Sequence, residues 1–237
     1  MDRIRELIAC VRSRYPDDNF FSNFEMKCQN NLIRKYYNTY NKALMAVDDE
    51  SWQILKKKAL RHFLNHREGQ KKQGFLNILN EAFAYKYLLS KGFENVRFVK
   101  EERNRSNSDI TFRFKNDQKY CEVKSLGISN DEINKRRNIF SIHNNTDYEK
   151  LSEGFLNKFS DAVNAANQQI SNFETKALIY IFISFDDFTF DHYQTYRRQL
   201  IKVSKDHRFE NLFIKMGLFG NRRIFIRERS SFPKTKP

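Results

Sequence analysis

The sequence is poor in the residues that crosslink small secreted proteins or build specialised loops. It contains 3 cysteines, 3 prolines, 7 glycines and 1 tryptophan among 237 residues. Cys10, Cys28 and Cys121 are far apart and odd in number, which argues against a disulfide framework or a zinc site and predicts reduced thiols. No glycine-rich phosphate-binding loop is present in the sequence, which argues against ATP use.

Long apolar runs are also missing. No apolar segment approaches the ~20 residues that cross a bilayer, and the charged N-terminus, MDRIRELIACVRSRYPDD, lacks the apolar centre of a signal peptide. We therefore expect a cytoplasmic protein without membrane association. Aromatic residues are abundant, with 23 Phe and 11 Tyr, so the chain can build a hydrophobic core, which argues against wholesale disorder.

Acidic residues are scarce relative to basic ones. Lys and Arg total 43 whereas Asp and Glu total 29, which gives a net charge of +14. A surplus of this size favours a polyanionic partner, which is nucleic acid or, less often, an anionic membrane surface. Because nothing else in the sequence supports a membrane surface, we expect nucleic acid.

The chain divides into two main regions without internal repeats. Residues 1–73 are predicted to be a basic, helical N-terminal extension, residues 74–229 the main domain, and residues 230–237 a loose tail. Asp48 or Ser51 is the candidate N-cap of a helix in the first region. The net field of this region suits phosphate contacts, although most of its individual charges are equally explained as solvated surface.

The clearest helix begins near Gly74 and stops at Gly92. Glu81 shares one face of this helix with Ile78 and Tyr85. A carboxylate on an apolar face is costly unless something pairs with it. Glu81 therefore either lies at the edge of the face and reaches water or lines a polar cleft, and the helix alone does not decide between these.

Two alternating segments, SDITFRF and KYCEVKS, predict a β-hairpin. With a two-residue turn at positions 116–117, Asp109 faces Lys124 and Thr111 faces Glu122. Opposed residues of an antiparallel pair point to the same side. The hairpin is therefore predicted to gather Asp109, Glu122 and Lys124 on one face.

Such a group suits a divalent metal. Mg²⁺ prefers oxygen ligands and is usually held by one or two carboxylates with water and substrate phosphate. Asp109 and Glu122 would supply these carboxylates, and the bound ion would lower the pKa of a water and offset charge on a phosphodiester. Lys124 would orient the attacking water or stabilise the developing charge. We therefore expect Mg²⁺ or Mn²⁺ as the cofactor.

This ordered set resembles the PD-(D/E)xK nuclease superfamily. A helix with Glu81 in NEAFAYKYLL precedes a strand with Asp109 in SDITF and a strand with Glu122 and Lys124 in CEVKS. The match covers residues 75–126. The resemblance implies an α/β, restriction-endonuclease-like fold, in which helices flank a mixed central β-sheet. It also implies that Asp109, Glu122 and Glu81 bind the metal. Lys124 would then assist the water.

The resemblance depends on the whole ordered set of residues. The proline that gives the motif its name is Ser108 here. Glu-x-Lys alone carries little information, because it also occurs at residues 25–27 and 174–176, where no strand with Asp precedes it. His62 and His66 have the spacing of a helical metal pair, but no HExxH glutamate is present and the surrounding basic charge opposes a cation.

The rest of the second region fits the same architecture. Residues 128–150 are predicted to form a polar, basic loop, residues 151–170 an amphipathic helix and residues 177–185 a fully buried strand. The segment LFIKMGLFGNRRIFIRE predicts a closing hairpin with Gly220-Asn221 at its turn. Candidate nucleic-acid contacts lie in the basic segments and on the amphipathic helix: Lys56, Lys57, Lys58, Lys71, Lys72, Lys135, Arg136, Arg137, Lys158, Gln168 and Gln169.

The sequence therefore predicts a metal-dependent nuclease that hydrolyses phosphodiester bonds of nucleic acid, with DNA favoured over RNA. One alternative is a nucleic-acid-binding module or assembly subunit that retains the nuclease fold without cutting. A purely structural alternative is a strand-edge salt bridge between Asp109 and Lys124, with Glu122 in solvent. A homodimer or a larger assembly is compatible with all of these.

Overall fold

The structure is a computed structural model that describes residues 2–66, 71–100, 108–127, 149–171, 177–184 and 192–226. The chain divides into two compact units. The first consists of Met1–Arg105 and Asp109–Asp117, and the second of Ser106–Ser108 and Gln118–Pro237. The helix predicted to open the main domain thus belongs to the same unit as the N-terminal helices.

The described residues form seven helices and six strands. The helices are α1 (Arg3–Arg14), α2 (Phe24–Lys27), α3 (Asn31–Leu44), α4 (Asp49–Arg61), α5 (Gln73–Ser90), α6 (Glu153–Ile170) and α7 (Tyr193–Asp206). The strands are β1 (Glu94–Phe98), β2 (Ile110–Phe114), β3 (Asp117–Leu126), β4 (Leu178–Ile183), β5 (Leu212–Met216) and β6 (Arg223–Ile226). The α/β class is confirmed, whereas the restriction-endonuclease-like topology stays a prediction.

Helix α5 is the central helix of the first unit. Its residues are buried around most of the circumference, in agreement with its apolar sequence, and it packs against α3 and α4. Asp48 is the N-cap of α4, as expected, and its side chain accepts a hydrogen bond from the Ser51 amide. Gly92, with φ +75°, follows α5 and takes the left-handed conformation that glycine allows.

Strands β1 and β2 form an antiparallel pair in the first unit. Phe98 lies opposite Ile110, and Arg97 lies opposite Thr111. Beyond β1, the Val99 amide donates to the Asp109 carbonyl oxygen at 3.0 Å. This pairing places Asp109 immediately before β2 and beside the chain that leaves β1.

The turn after β2 lies one residue earlier than predicted. β2 ends at Phe114 and β3 begins at Asp117, so the two turn residues are Lys115 and Asn116 rather than residues 116–117. Lys115 takes φ +56°, and the Phe114 ring packs on Phe93 at 5.5 Å between centroids. Moving the turn by one position shifts the partner of each β2 residue by two positions along β3. Side chains two positions apart lie on the same face of a strand, so the predicted faces do not change and remain a prediction.

The second unit contains a mixed sheet. β3 pairs with β4 and β4 with β5 in parallel, whereas β5 and β6 are antiparallel. Helix α6 connects β3 to β4, and α7 connects β4 to β5, which are the crossovers that parallel strands require. All six residues of β4 are buried, as its continuous apolar sequence predicts.

One hydrophobic cluster joins the helices of this unit to the sheet. Alternate residues of β4 and β5 face it, because side chains of a strand alternate between the two faces. Its best-buried members are Phe159, Val163, Ala166, Ile179, Ile181, Ile183, Leu200, Leu212, Ile214 and Met216. The predicted amphipathic helix and central strand are therefore confirmed.

Several further predictions can be compared with the structure. The closing hairpin is present as β5 and β6, but residues 217–222 connect the strands instead of a two-residue turn. No disulfide joins Cys10, Cys28 and Cys121. In the part of the chain that the structure describes, no helix is long and apolar enough to cross a membrane. Most of the predicted loop at residues 128–150 and the whole tail at residues 230–237 lie outside the described residues.

Candidate functional site

In the first unit, two carboxylates converge on one ammonium group. Lys58 Nζ on α4 lies 2.8 Å from Glu81 Oε1 on α5 and 2.8 Å from Asp109 Oδ1. The three side chains are well buried, with 15% of Lys58, 7% of Glu81 and 15% of Asp109 exposed. Glu81 therefore does not reach water at the edge of the helix, and its carboxylate lies against Lys58. That it lines a functional cleft stays a prediction.

Helix periodicity explains why Lys58 points inward. Lys58 follows Leu55 by three residues and Ser51 by seven, and both of those residues are fully buried. This spacing is visible in the sequence and is the signal that separates Lys58 from the exposed Lys57. The role of Lys58 as the partner of the two predicted catalytic carboxylates was not predicted.

The electrostatics of this cluster keep Lys58 charged. Burial disfavours the ammonium form, but the negative charges of Glu81 and Asp109 outweigh burial and raise the pKa of Lys58. Both carboxylates share the Lys58 ammonium, so the three side chains sum to a formal charge of −1 when both acids are ionised. The cluster is thus a site where carboxylate oxygens from two elements approach a single positive charge.

A second cluster lies in the second unit. Lys124 Nζ is 2.8 Å from Glu122 Oε1, and Lys124 also donates a hydrogen bond to Gln169 Oε1 on α6. Glu122 and Lys124 are two residues apart on β3, so their side chains lie on the same face of the strand. Glu122 is 3% exposed, which contradicts the alternative that placed it in solvent.

The structure thus brings Gln169 to the predicted catalytic lysine. The sequence predicts Gln169, with Lys158 and Gln168, as a candidate contact on the helix after the loop. Its neighbour Gln168 is exposed, and Lys158 of the same helix donates to the Gly127 carbonyl oxygen at 3.0 Å. Of these three residues, Gln169 is therefore the one that contacts Lys124.

Two other predicted nucleic-acid contacts have internal partners. Lys72 is buried, forms an ion pair with Asp18, and lies 3.9 Å from the centroid of the Phe63 ring. Lys56 lies 2.6 Å from Glu6. A buried, paired ammonium is poorly placed to reach a phosphate, so Lys72 has the environment of a structural cation.

Other predicted contacts remain accessible to solvent. Lys57 and Lys71 are exposed, in keeping with a surface role. Lys135, Arg136 and Arg137 lie outside the described residues. The predicted nucleic-acid surface is therefore reduced to a few accessible cations in the described part of the first unit.

The donor set can be compared with the needs of a metal. Glu81 and Asp109 offer oxygen atoms, the ligands that Mg²⁺ and Mn²⁺ prefer, and their approach to one cation at 2.8 Å fits a shared positive charge. Within the described residues there is no group of three or more His, Cys, Asp or Glu that could hold a metal ion. The carboxylates fit a Mg²⁺ site of the kind completed by water and phosphate, rather than an all-protein cage.

Comparisons with known proteins give no relative. No protein-family model matches the chain, and no curated protein or solved structure matches it either. Functional inference therefore depends on the residues and geometry described above.

Proposed function

We propose that this chain is a Mg²⁺- or Mn²⁺-dependent nuclease that hydrolyses phosphodiester bonds of nucleic acid, with DNA favoured over RNA. The observation that carries the proposal is the convergence of Glu81 and Asp109 on one cation, each at 2.8 Å. The order of Glu81 in a helix, Asp109 immediately before a strand and Glu122-x-Lys124 in the next strand supports it, because this order resembles that of the PD-(D/E)xK nuclease superfamily.

In this proposal Asp109 and Glu122 hold the metal, and Glu81 completes its surroundings. The bound ion would lower the pKa of a water and neutralise charge on the phosphate. Lys124, held by Glu122 and Gln169, orients the attacking water and stabilises the negative charge that develops during attack. Lys58 balances the charge of Glu81 and Asp109 in the metal-free protein.

The test is a cleavage assay with the whole chain. Plasmid, linear and single-stranded DNA and RNA are incubated with the protein in Mg²⁺, Mn²⁺ or EDTA. We expect cleavage with either metal and none in EDTA, and we expect Asp109→Asn, a change of similar shape, to abolish it. Tight binding without cleavage in any metal would reject the enzyme.

One observation favours a second candidate, a nucleic-acid-binding module that does not cut. The ammonium group of Lys58 already supplies a positive charge to Glu81 and Asp109, so these carboxylates can be retained for stability without any metal. Titration calorimetry with Mn²⁺ separates the candidates. The module predicts no heat of metal binding in a protein that still binds nucleic acid, whereas the nuclease predicts binding that Asp109→Asn weakens.

A further inference from the structure

A groove in the first unit lies beside the carboxylate cluster. It has a volume of about 370 Å³ and runs between α4 and the chain that leaves β1. Its walls are formed by Glu50, Gln53, Ile54, Lys57, Lys58, Arg61, Val99 and Lys100. The proposed nuclease function does not depend on the shape of this groove.

The charge of the groove selects an anion. Four of its eight lining residues are cations and one is a carboxylate. Lys57, Arg61 and Lys100 are exposed, so their charged groups are accessible to a ligand that enters from solvent. Lys57 and Arg61 are four residues apart on α4 and lie on the same side of the helix. Together these groups provide a concentrated positive field inside a concave surface.

The size and the other walls indicate more than a bare phosphate. A volume of about 370 Å³ lies in the range of roughly 300–1,000 Å³ that is usual for small-molecule sites. Ile54 and Val99 contribute apolar surface for a sugar or a base, and the Gln53 amide can both donate and accept hydrogen bonds. A single nucleotide combines these features, because it has an anionic phosphate, an apolar sugar edge and a polar base.

The position of the groove links it to the candidate site. Lys58 lines the groove and also lies 2.8 Å from Asp109 Oδ1. Val99 lines the groove, and its amide donates to the Asp109 carbonyl oxygen at 3.0 Å. A nucleotide in the groove would therefore lie next to Asp109.

We propose that this groove binds one nucleotide of a nucleic-acid strand through its phosphate group. The inference rests on the nucleic-acid partner of the proposed function, not on cleavage. Lys57, Arg61 and Lys100 contact the phosphate, and Ile54 and Val99 contact the sugar or base. The phosphate comes either from the interior of the strand, as a phosphodiester, or from its end, as a monoester with a higher charge.

The test compares two double variants that remove the same charge. The groove variant, Lys57→Ala/Arg61→Ala, removes two cations from the wall of the groove and leaves Lys58 in place. The control variant, Lys42→Ala/Lys86→Ala, removes two exposed lysines of α3 and α5 that do not line the groove. Fluorescence anisotropy in EDTA measures binding of a labelled oligonucleotide over a salt series, so that cleavage does not contribute.

The two variants should differ in affinity and in salt dependence. We expect the groove variant to bind about tenfold more weakly. With a DNA duplex, its slope of log affinity against log salt should fall by about 0.9, the value for one lost phosphate contact. The control variant should stay close to the unmodified protein. Equal behaviour of the two variants would overturn the proposal, and so would an unmodified protein that binds no oligonucleotide.

Oligonucleotides with a 5′-phosphate, a 3′-phosphate or neither distinguish the two sources. If the groove holds a terminal monoester, one phosphorylated oligonucleotide should bind more tightly, and the groove variant should lose that difference. If it holds an internal phosphodiester, all three should bind alike and lose affinity equally in the groove variant. If the groove variant binds and cleaves nucleic acid like the unmodified protein, the groove proposal is rejected and the nuclease proposal stands. If binding depends on the groove but no metal supports cleavage, the groove proposal stands and the nuclease proposal is rejected.

Discussion

Three consecutive lysines on α4 have three different environments. Lys56 pairs with Glu6 at 2.6 Å, Lys57 is exposed, and Lys58 lies between two buried carboxylates. Each step along a helix rotates the side chain by about 100°, so adjacent lysines point in different directions. A basic run on a helix is therefore not one binding surface, and each member needs its own role.

Removal of the Lys58 charge should destabilise the metal-free protein. We expect Lys58→Met to lower the free energy of unfolding by about 3 kcal/mol, because the loss of one member of a buried ion cluster leaves the remaining charges uncompensated. Urea unfolding in EDTA at pH 7 measures the effect. Lys57→Met is the matched control, and a surface change of this kind should stay within about 0.5 kcal/mol.

A divalent ion should replace part of the lost charge. Mn²⁺ should therefore stabilise Lys58→Met more than it stabilises the unmodified protein, since a ligand that binds the folded state alone raises its stability. An equal effect of Mn²⁺ on both proteins would show that the metal does not bind at Glu81 and Asp109. Unchanged stability of Lys58→Met in EDTA would contradict the structural role of this ammonium.

Lys124 should matter for cleavage and little for binding. We expect Lys124→Ala to reduce the cleavage rate by about 10²-fold or more, the usual effect of removing one group that stabilises transition-state charge. Nucleic-acid affinity should stay nearly unchanged, because Lys124 is one cation among 43. Lys119→Ala on the same strand is the control, since an odd separation places Lys119 on the opposite face. If Lys124→Ala cuts as fast as the unmodified protein, the chemistry lies elsewhere.

Secondary-structure elements with a strong periodic pattern could be predicted from the sequence. The apolar stripe of α6 and the continuous apolar run of β4 each allow one burial pattern, and both elements were predicted. Helix α7 was not predicted, because its buried positions, Tyr196, Leu200 and Ser204, include a polar residue within a strongly polar segment. The turn was predicted one residue too late because Asn116 and Asp117 both favour turns, whereas Lys115 does not.

Part of the candidate site could be predicted from the order of its residues along the chain. Glu81, Asp109, Glu122 and Lys124 could be found because their order along the chain resembles that of a known superfamily. Lys58 pairs with Asp109 across 51 positions of sequence, and no local pattern predicts such a pair. Only the folded structure, in which α4 lies close to the start of β2, reveals this pair.

Asp48 connects three elements of the first unit. It caps α4 through the Ser51 amide, accepts a hydrogen bond from the Tyr85 hydroxyl of α5, and lies 2.7 Å from Arg97 of β1. Burial raises the pKa of this carboxyl, but the hydrogen bonds from Tyr85 and Ser51 and the charge of Arg97 outweigh burial and lower the pKa to about 2. The ionised form is therefore the one that the fold stabilises.

The contribution of Asp48 should depend on pH with a definite sign. The folded pKa of about 2 lies below the ordinary value of 3.8, so the stabilisation is present above pH 3.8 and is lost as the pH falls towards 2. The stability difference between the unmodified protein and Asp48→Ala should narrow by about 1 kcal/mol between pH 7 and pH 3. Urea unfolding at both pH values measures it, with the exposed Asp17→Ala as the control. A difference that is constant with pH would contradict the low pKa.

The number of basic residues overstates the number of cations that are available to a partner. The chain has 43 Lys and Arg, but Lys56, Lys58 and Lys72 each pair with carboxylates inside the first unit. Such cations already have counter-charges and release no counterions when nucleic acid binds. Binding should therefore depend on exposed cations such as Lys57, and fewer phosphate contacts should form than the composition suggests.

Salt dependence measures how many of these cations bind phosphate. For duplex DNA, log affinity falls linearly with log salt, with a slope of about −0.9 for each phosphate contact. We expect a steep fall between low and moderate salt, because the net charge of +14 makes phosphate contacts the largest contribution to affinity. Anisotropy with a labelled DNA duplex and the RNA duplex of the same sequence, in EDTA, gives both slopes. A slope near zero, or no binding to either duplex, would indicate a protein partner, because such partners release few counterions. A steep slope with DNA bound more tightly than RNA would support the proposed substrate, and the number of phosphate contacts it yields should fall by about one when Lys57 and Arg61 are both replaced.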